Sequence, residues 1–282
     1  MQYRELLDKH PEMLENRFNL IFRRGSEEEA VAQFRRHGVI QLRHALPPIL
    51  LADMREKCMR AAAAFEPSSR AAEGYRSGKG NYPWEFQLDG YVLAPLFRAA
   101  IESWAWKVIE KICGSRRIVF FVPQCMARHA VDVAMDIGAH QDAVNVSVHM
   151  PFSVWVPLQA INPGQMSSLG FIVNGEQQIL DLSRFPEHML AHAEFLWLPA
   201  YELGDLTIHD NLTPHSTTGF GTGSERLSVE LRCTSRQAAL MTKHAHYHLA
   251  VRPWWGRRRL DMCCPAGLFD DVRPFLTEAV AA

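Results

Sequence analysis

The sequence predicts a mainly β protein with flanking helices, an α+β chain whose helices come first and whose strands close on themselves. Three observations predict it. The first hundred or so of the 282 residues carry helical periodicity. From Ile118 to Cys233 the chain breaks instead into short β-rich runs separated by Pro, Gly and Asn. No helical pattern in that stretch is long enough for a βαβ crossover, which leaves an antiparallel sandwich or barrel. The expected organisation is one domain over 1–282: helices in 1–114, a β core over 115–235, and an irregular segment ending in a short helix over 236–282.

The elements follow in order. Ser26-Glu27-Glu28-Glu29 has the form of a capping box, opening a helix through Ala30, Val31 and Phe34. Gly38 supplies a left-handed stop, and Val39–Leu42 reads as a short strand. Pro47-Pro48 opens a second helix with Leu51, Met54 and Cys58 at helical spacing. Residues 66–90 are rich in Gly, Ser and Pro and read as a long loop, bordered by Trp84, Phe86 and Tyr91, which could close over a substrate or anchor the loop. Residues 95–113 read as a third helix ended by Gly114. The expected strands are Ile118–Val122, Ala143–Val148, Ser153–Leu158, Gly170–Val173, Phe195–Leu198, Asp205–His209 and Leu227–Cys233.

Composition narrows the function. Lys and Arg number 30 against 31 Asp and Glu, so the chain lacks the positive excess of a nucleic-acid or anionic-membrane binder. No run of apolar residues reaches the roughly 18 of a membrane span. The opening MQYRELLDKH is charged where a signal peptide needs its apolar centre, and the six cysteines show no C-x2-C pairing or disulfide framework. A reducing cytoplasm and a small-molecule substrate are the expectation, with neither nucleic acid nor membrane as partner.

Chemistry concentrates in three places. On an extended strand the imidazole of His140 and the carboxylate of Asp142 share a face, which Val144, Val146 and Val148 continue as an inward one. A carboxylate beside an imidazole on an apolar wall is costly unless neutralised, and a divalent metal neutralises it; the bland alternative is a hydrogen-bonded surface pair. His215 lies 73 residues beyond Asp142, far enough for the chain to return, with His209 as a rival for the second imidazole. Two imidazoles and one carboxylate make the set that binds Fe(II) on one face and leaves positions open opposite. Eleven residues later begins Arg226-Leu227-Ser228-Val229-Glu230-Leu231-Arg232-Cys233, which alternates polar and apolar throughout. Its polar face is either solvated or the wall of a ligand site. Beside a metal, Arg226 could hold the far carboxylate of a dicarboxylic co-substrate, helped by the hydroxyls of Thr217 and Ser228.

His140-x-Asp142, His215 and Arg226 in this arrangement resemble the Fe(II)/2-oxoglutarate-dependent dioxygenases, and within them the phytanoyl-CoA dioxygenase family. Phe34–Leu42 is similar to that family's opening helix-Gly-strand, Val154–Leu158 to its tryptophan strand, and Gly204-Asp205-Leu206 to the Gly-Asp before its distal histidine. The resemblance covers roughly residues 30–235. It departs at Ile172–Glu176, where the family's Gly-Ser-His is missing, and in a short interval between the ligands. It implies a double-stranded β-helix, a jelly-roll or cupin-like barrel. His140, Asp142 and His215 would hold iron at its mouth, with 2-oxoglutarate and O2 as co-substrates. Arg226 and Thr217 would take the 2-oxoglutarate C5 carboxylate, and Gln124 is carried over by position alone as a further contact. Asp142 occupies the position that is Ala or Gly in the related halogenases, which favours hydroxylation. Trp155 and Arg128 are candidate substrate contacts. A non-redox cupin-like isomerase or hydrolase using Zn(II) or Mn(II), and a binding module without catalysis, are the alternatives.

The remaining features have plain readings. His244-x-His246-x-His248, Arg257-Arg258-Arg259 beside Trp254-Trp255, and Cys263-Cys264 read as a solvated loop, a local basic patch and free thiols.

Overall fold

Strand alternation sorts side chains to two faces, and here both faces are covered. The computed structural model describes residues 7–14, 19–64, 85–87, 90–120, 126–130, 139–142, 152–163, 165–173, 193–218, 226–235, 248–254 and 257–263. The larger sheet runs β1 (Ile21–Phe22), β2 (Val39–Leu42), β9 (Leu206–Asp210), β6 (Phe152–Pro157), β11 (Arg226–Ser235), β4 (Ile118–Phe120), β12 (His248–Trp254) and β13 (Arg257–Cys263). β5 (Met126–Ala130) lies along β11 and pairs in turn with β3 (Glu85–Gln87). The smaller sheet is β10 (His215–Thr218), β7 (Ser168–Val173) and β8 (Phe195–Trp197). Apart from parallel β1–β2, the pairings are antiparallel, as expected for short strands without crossover helices.

The outer face of the larger sheet carries Ile40, Leu42, Val154, Val156, Ile208, Leu227, Val229 and Leu231. They share one core with α1 (Glu27–His37), α2 (Pro48–Ala64), α3 (Gly90–Glu102) and α4 (Trp104–Cys113). Phe97 and Trp106 stack at 4.5 and 5.3 Å on Phe120, binding the helical layer to β4. The inner face presents Val39 and Trp155 to Leu169, Phe171, Val173, Phe195 and Trp197 of the smaller sheet, forming a second core. Between these apolar residues the inner face is polar, and that is where the site lies. No helix among the described residues is long and apolar enough to cross a membrane.

Local expectations meet the structure unevenly. Gly38 has φ 72° and closes α1 by donating to the Phe34 carbonyl. Ser26 does not cap α1: its hydroxyl donates to the Arg23 carbonyl at 2.6 Å, held by the preceding turn instead. The third helix is two, because Ser103 turns extended (φ −72°, ψ 161°) and its hydroxyl donates to the Ala100 carbonyl, which its own amide also reaches, at the end of α3. Glu85–Gln87, expected as loop, is a strand, and the supposedly irregular carboxy-terminal segment contains the β12–β13 hairpin seated on β4. Ala143–Val148, Trp84, the terminal helix, His244, His246 and Cys264 lie outside the described residues.

His37, at the end of α1, is buried with Nδ1 3.6 Å from Glu194 Oε2. Burial pushes its pKa below the ordinary value; Glu194 partly offsets this and Arg36 adds to it. A histidine kept neutral in the fold but free to charge when unfolded destabilises the fold as pH falls below about 6.5. Denaturation midpoints of the protein should therefore drop between pH 7.5 and 5.5, and His37→Gln should flatten that drop.

Candidate metal centre

An isolated antiparallel bridge builds the centre. The amide of His140 donates to the carbonyl of His215 at 2.9 Å and the amide of His215 returns the bond at 3.0 Å. The two imidazoles are thereby neighbours, with ring centroids 4.4 Å apart. Asp142 follows two residues later, beyond the bridge rather than on a regular strand. His140 Nε2 is 3.9 Å from Asp142 Oδ1, His215 Nε2 is 4.0 Å from Asp142 Oδ2, and one ligand atom from each of the three lies within 4.8 Å of the others. The His140 side chain is 25 % exposed while those of Asp142 and His215 are 7 % and 4 %, so the group opens to solvent on one side.

Local structure fixes how His215 points. Its Nδ1 donates to the Thr213 carbonyl at 2.9 Å, which turns the Nε2 lone pair toward Asp142. Thr213 is itself tied by its hydroxyl to the Gly38 carbonyl at 2.9 Å, and the Asp210 amide donates to the same carbonyl. The glycine that ends α1 thus anchors the turn that aims a candidate ligand.

The protonation states suit a cation. Burial, then the neighbouring His140, hold His215 well below its ordinary pKa, so the ring is neutral with its lone pair free. Burial works against the charged form of Asp142, yet the Arg232 guanidinium beside it holds its carboxyl well below the usual range. A neutral imidazole and an ionised carboxylate facing one point are what a divalent first-row metal needs, and the donor set fits Fe(II).

The other anticipated residues occupy the same interior. Thr217 lies two positions along β10 from His215, buried, with their partners Leu169 and Phe171 facing the inner core. Arg226 and Ser228 are buried on the inner face of β11, so the polar face of that strand is interior rather than solvated. The Arg226 guanidinium lies 5.5 Å from the centroid of the Trp155 ring, whose edge packs at 5.0 Å on Tyr201. Trp155 is one same-face step along β6 from Ser153, whose hydroxyl is 3.4 Å from Asp142 Oδ2. Arg128 is buried and its Nη1 lies 3.1 Å from Glu230 Oε2. Gln124 lies outside the described residues.

Three further residues surround the centre: His209, the rival imidazole, and Arg232 and Glu230, to which the sequence reading gives no part. His209 is buried, Nε2 lies 3.8 Å from Asp142 Oδ2, and neither ring nitrogen has a hydrogen-bond partner among the described residues. Arg232 and Glu230 complete an ionic group around Asp142. The alternation of β11 already put them on the face of Arg226, and that periodicity was the available signal. A cavity of about 590 Å³ between the start of α2 and the end of α3 includes none of these residues.

No protein-family model matches the sequence, and no curated protein matches it. Solved structures do resemble it. The epimerase SnoN in complex with Fe3+, alpha ketoglutarate and nogalamycin RO is 18 % identical, with 75 % of this chain and 84 % of that one aligned at a TM-score of 0.57. EctD from S. alaskensis is 16 % identical over 74 % of this chain and 77 % of that one, at 0.55. The non-heme monooxygenase ThoJ in its nickel complex is 14 % identical over 89 % and 95 %, at 0.55. The fold is theirs. It is a double-stranded β-helix, the jelly-roll or cupin-like barrel on which SnoN, an alpha ketoglutarate-dependent non-heme enzyme, is built.

Proposed function

We propose that this chain is an Fe(II)/2-oxoglutarate-dependent dioxygenase, of the kind the phytanoyl-CoA dioxygenase family represents. It would hydroxylate an unactivated C–H of a small organic molecule in the cytoplasm, releasing succinate and CO2. The observation that carries the reading is the meeting of His140, Asp142 and His215 ligand atoms within 4.8 Å at the open side of a buried, polar barrel interior. The iron, with 2-oxoglutarate and O2, supplies the oxidising power to break a C–H bond. The protein supplies the rest. His140 and His215 offer Nε2, and Asp142 offers a carboxylate oxygen. Arg226 receives the C5 carboxylate of 2-oxoglutarate, with the hydroxyls of Thr217 and Ser228 beside it and Gln124 as a further contact. Trp155 and Arg128 line the way to the substrate, for which a natural-product intermediate, an amino acid and an acyl thioester are the classes considered. Asp142 fills the position a halide would need, so hydroxylation is the favoured outcome.

The test is a titration of the metal-loaded protein with 2-oxoglutarate. Charge-assisted hydrogen bonds contribute roughly 1.5–3 kcal/mol each, so Arg226→Ala should weaken 2-oxoglutarate binding at least about tenfold and raise its KM correspondingly. Equal affinity in the two proteins would remove Arg226 from the site. Succinate formed in step with 2-oxoglutarate consumed is the accompanying expectation.

His209 favours a second reading. A buried imidazole with neither nitrogen hydrogen-bonded among the described residues, 3.8 Å from the carboxylate of the group, could complete a centre with four protein ligands. Such a centre has fewer open positions and suits a non-redox cupin-like isomerase or hydrolase. That reading requires wild-type protein to ignore 2-oxoglutarate and His209→Ala to lose metal affinity as steeply as His215→Ala.

A further inference from the structure

We propose that Arg232 is a positioning residue that makes Asp142 a one-oxygen ligand; the inference rests on the metal centre proposed above. Arg232 is buried near the end of β11, and its Nη1 donates to Asp142 Oδ2 at 2.7 Å. Its Nη2 meets Glu230 Oε1, and Glu230 Oε2 lies 3.1 Å from Arg128 Nη1. Ser153, on neighbouring β6, joins the two carboxylates, its hydroxyl 3.4 Å from Asp142 Oδ2 and 3.4 Å from Glu230 Oε1. The resulting chain Asp142–Arg232–Glu230–Arg128 alternates in sign through the barrel interior, and each charge has an opposite one beside it. Buried ions persist only when they are paired in this way.

The consequence falls on the two oxygens of Asp142. Oδ2 is taken by Arg232 and approached by Ser153, His209 and, at 4.0 Å, His215, whereas Oδ1 faces His140 with no hydrogen bond from Arg232. A carboxylate pinned by one oxygen presents the other to a cation and leaves a coordination position open that two-oxygen binding would fill. A chelating co-substrate needs that position. Only a planar guanidinium can hold Asp142 with one nitrogen and Glu230 with the other, so lysine would keep the charge and lose the fork.

Cobalt(II), whose visible spectrum reports its ligands, is the probe. Arg232→Lys should raise the Co(II) Kd ten- to a hundredfold, the range usual for residues that orient a ligand, and change the visible bands. Glu230→Gln, which loosens the fork without touching Asp142, should shift Kd the same way by less. The double variant should bind no more weakly than Arg232→Lys alone, because both changes break one interaction. A merely structural ion pair would lower thermal stability in each variant and leave Kd and spectrum unchanged, which overturns the proposal. Should Arg232→Lys fail to fold, Glu230→Gln decides by the same two readouts. Wild-type protein that does not bind Co(II) sinks the centre itself and the function with it; wild-type binding with unaffected variants sinks only the role of Arg232.

Discussion

His215→Ala should leave no measurable 2-oxoglutarate turnover and should weaken binding of Fe(II) or Co(II) by at least about a hundredfold, exceeding the usual cost of losing a residue that merely orients a ligand. The expectation follows from how completely the protein has committed this side chain. Its Nδ1 is spent on the Thr213 carbonyl at 2.9 Å, its ring is buried and neutral, and its Nε2 is left facing Asp142. The ring also packs against His140, His209 and Phe171, but β10 is held to β7 independently of it, through its backbone and through the Thr218 hydroxyl on Ser168. The variant should therefore keep its fold and its circular dichroism spectrum in the absence of metal, while the lost ring contacts lower its melting temperature by a few degrees. His209→Ala provides the contrast: under the dioxygenase reading it lowers metal affinity modestly and spares turnover in part. Retained succinate production in His215→Ala would exclude this residue as a ligand.

What was legible in the sequence was mostly what backbone geometry enforces. Gly38 ends α1 in a left-handed conformation that few other residues adopt, and β11 alternates so regularly that its two faces could be separated before any partner was known. Which face looked inward was not written in that alternation, because a polar face is equally at home in water. The structure turns it inward by covering the apolar face with helices, so Arg226, Ser228, Glu230 and Arg232 are all buried. An extended strand would place His140 and Asp142 on one face. In the structure a single bridge sets His140 beside His215 and Asp142 follows beyond it, so long-range pairing rather than local periodicity does the placing. The β12–β13 hairpin escaped for a related reason. Its Arg257-Arg258-Arg259 run looks solvated when read alone, and its pairing depends on β4, more than a hundred residues earlier. Helix α3 parts from α4 at Ser103 through a side-chain bond to the Ala100 carbonyl, a competition that helical periodicity does not register.

Asp205→Ala should destabilise the fold by about 3–5 kcal/mol, the range for removing one partner of a buried ionic cluster. The Asp205 side chain is fully buried and accepts from four donors: Gln41 Nε2 at 3.2 Å, Arg43 Nη1 at 2.9 Å, the His44 amide at 2.9 Å and the Glu202 amide at 2.8 Å. Alanine would strand two backbone N–H groups and leave the mostly buried guanidinium of Arg43 with the exposed Glu202, at 3.3 Å, as its carboxylate among the described residues. The same carboxylate secures His44, which sits at φ 51°, a left-handed conformation uncommon outside glycine. The neighbouring Gly204 shows why the dipeptide is constrained as a unit. At φ 110° it brings its backbone so close to the loop after β2 that a Cβ there would lie 2.9 Å from the Leu46 carbonyl, while Ala45 and Leu46 both donate to its own oxygen. This junction joins the end of β2 to the start of β9, the strand that carries His209 toward the centre. Thermal unfolding should consequently shift down by roughly 10 °C. Metal affinity measured well below the new midpoint should not change, since no member of the junction touches His140, Asp142 or His215. A variant that melts like wild type, or one that folds fully and has lost its metal, would contradict this assignment of the Gly-Asp pair to the scaffold.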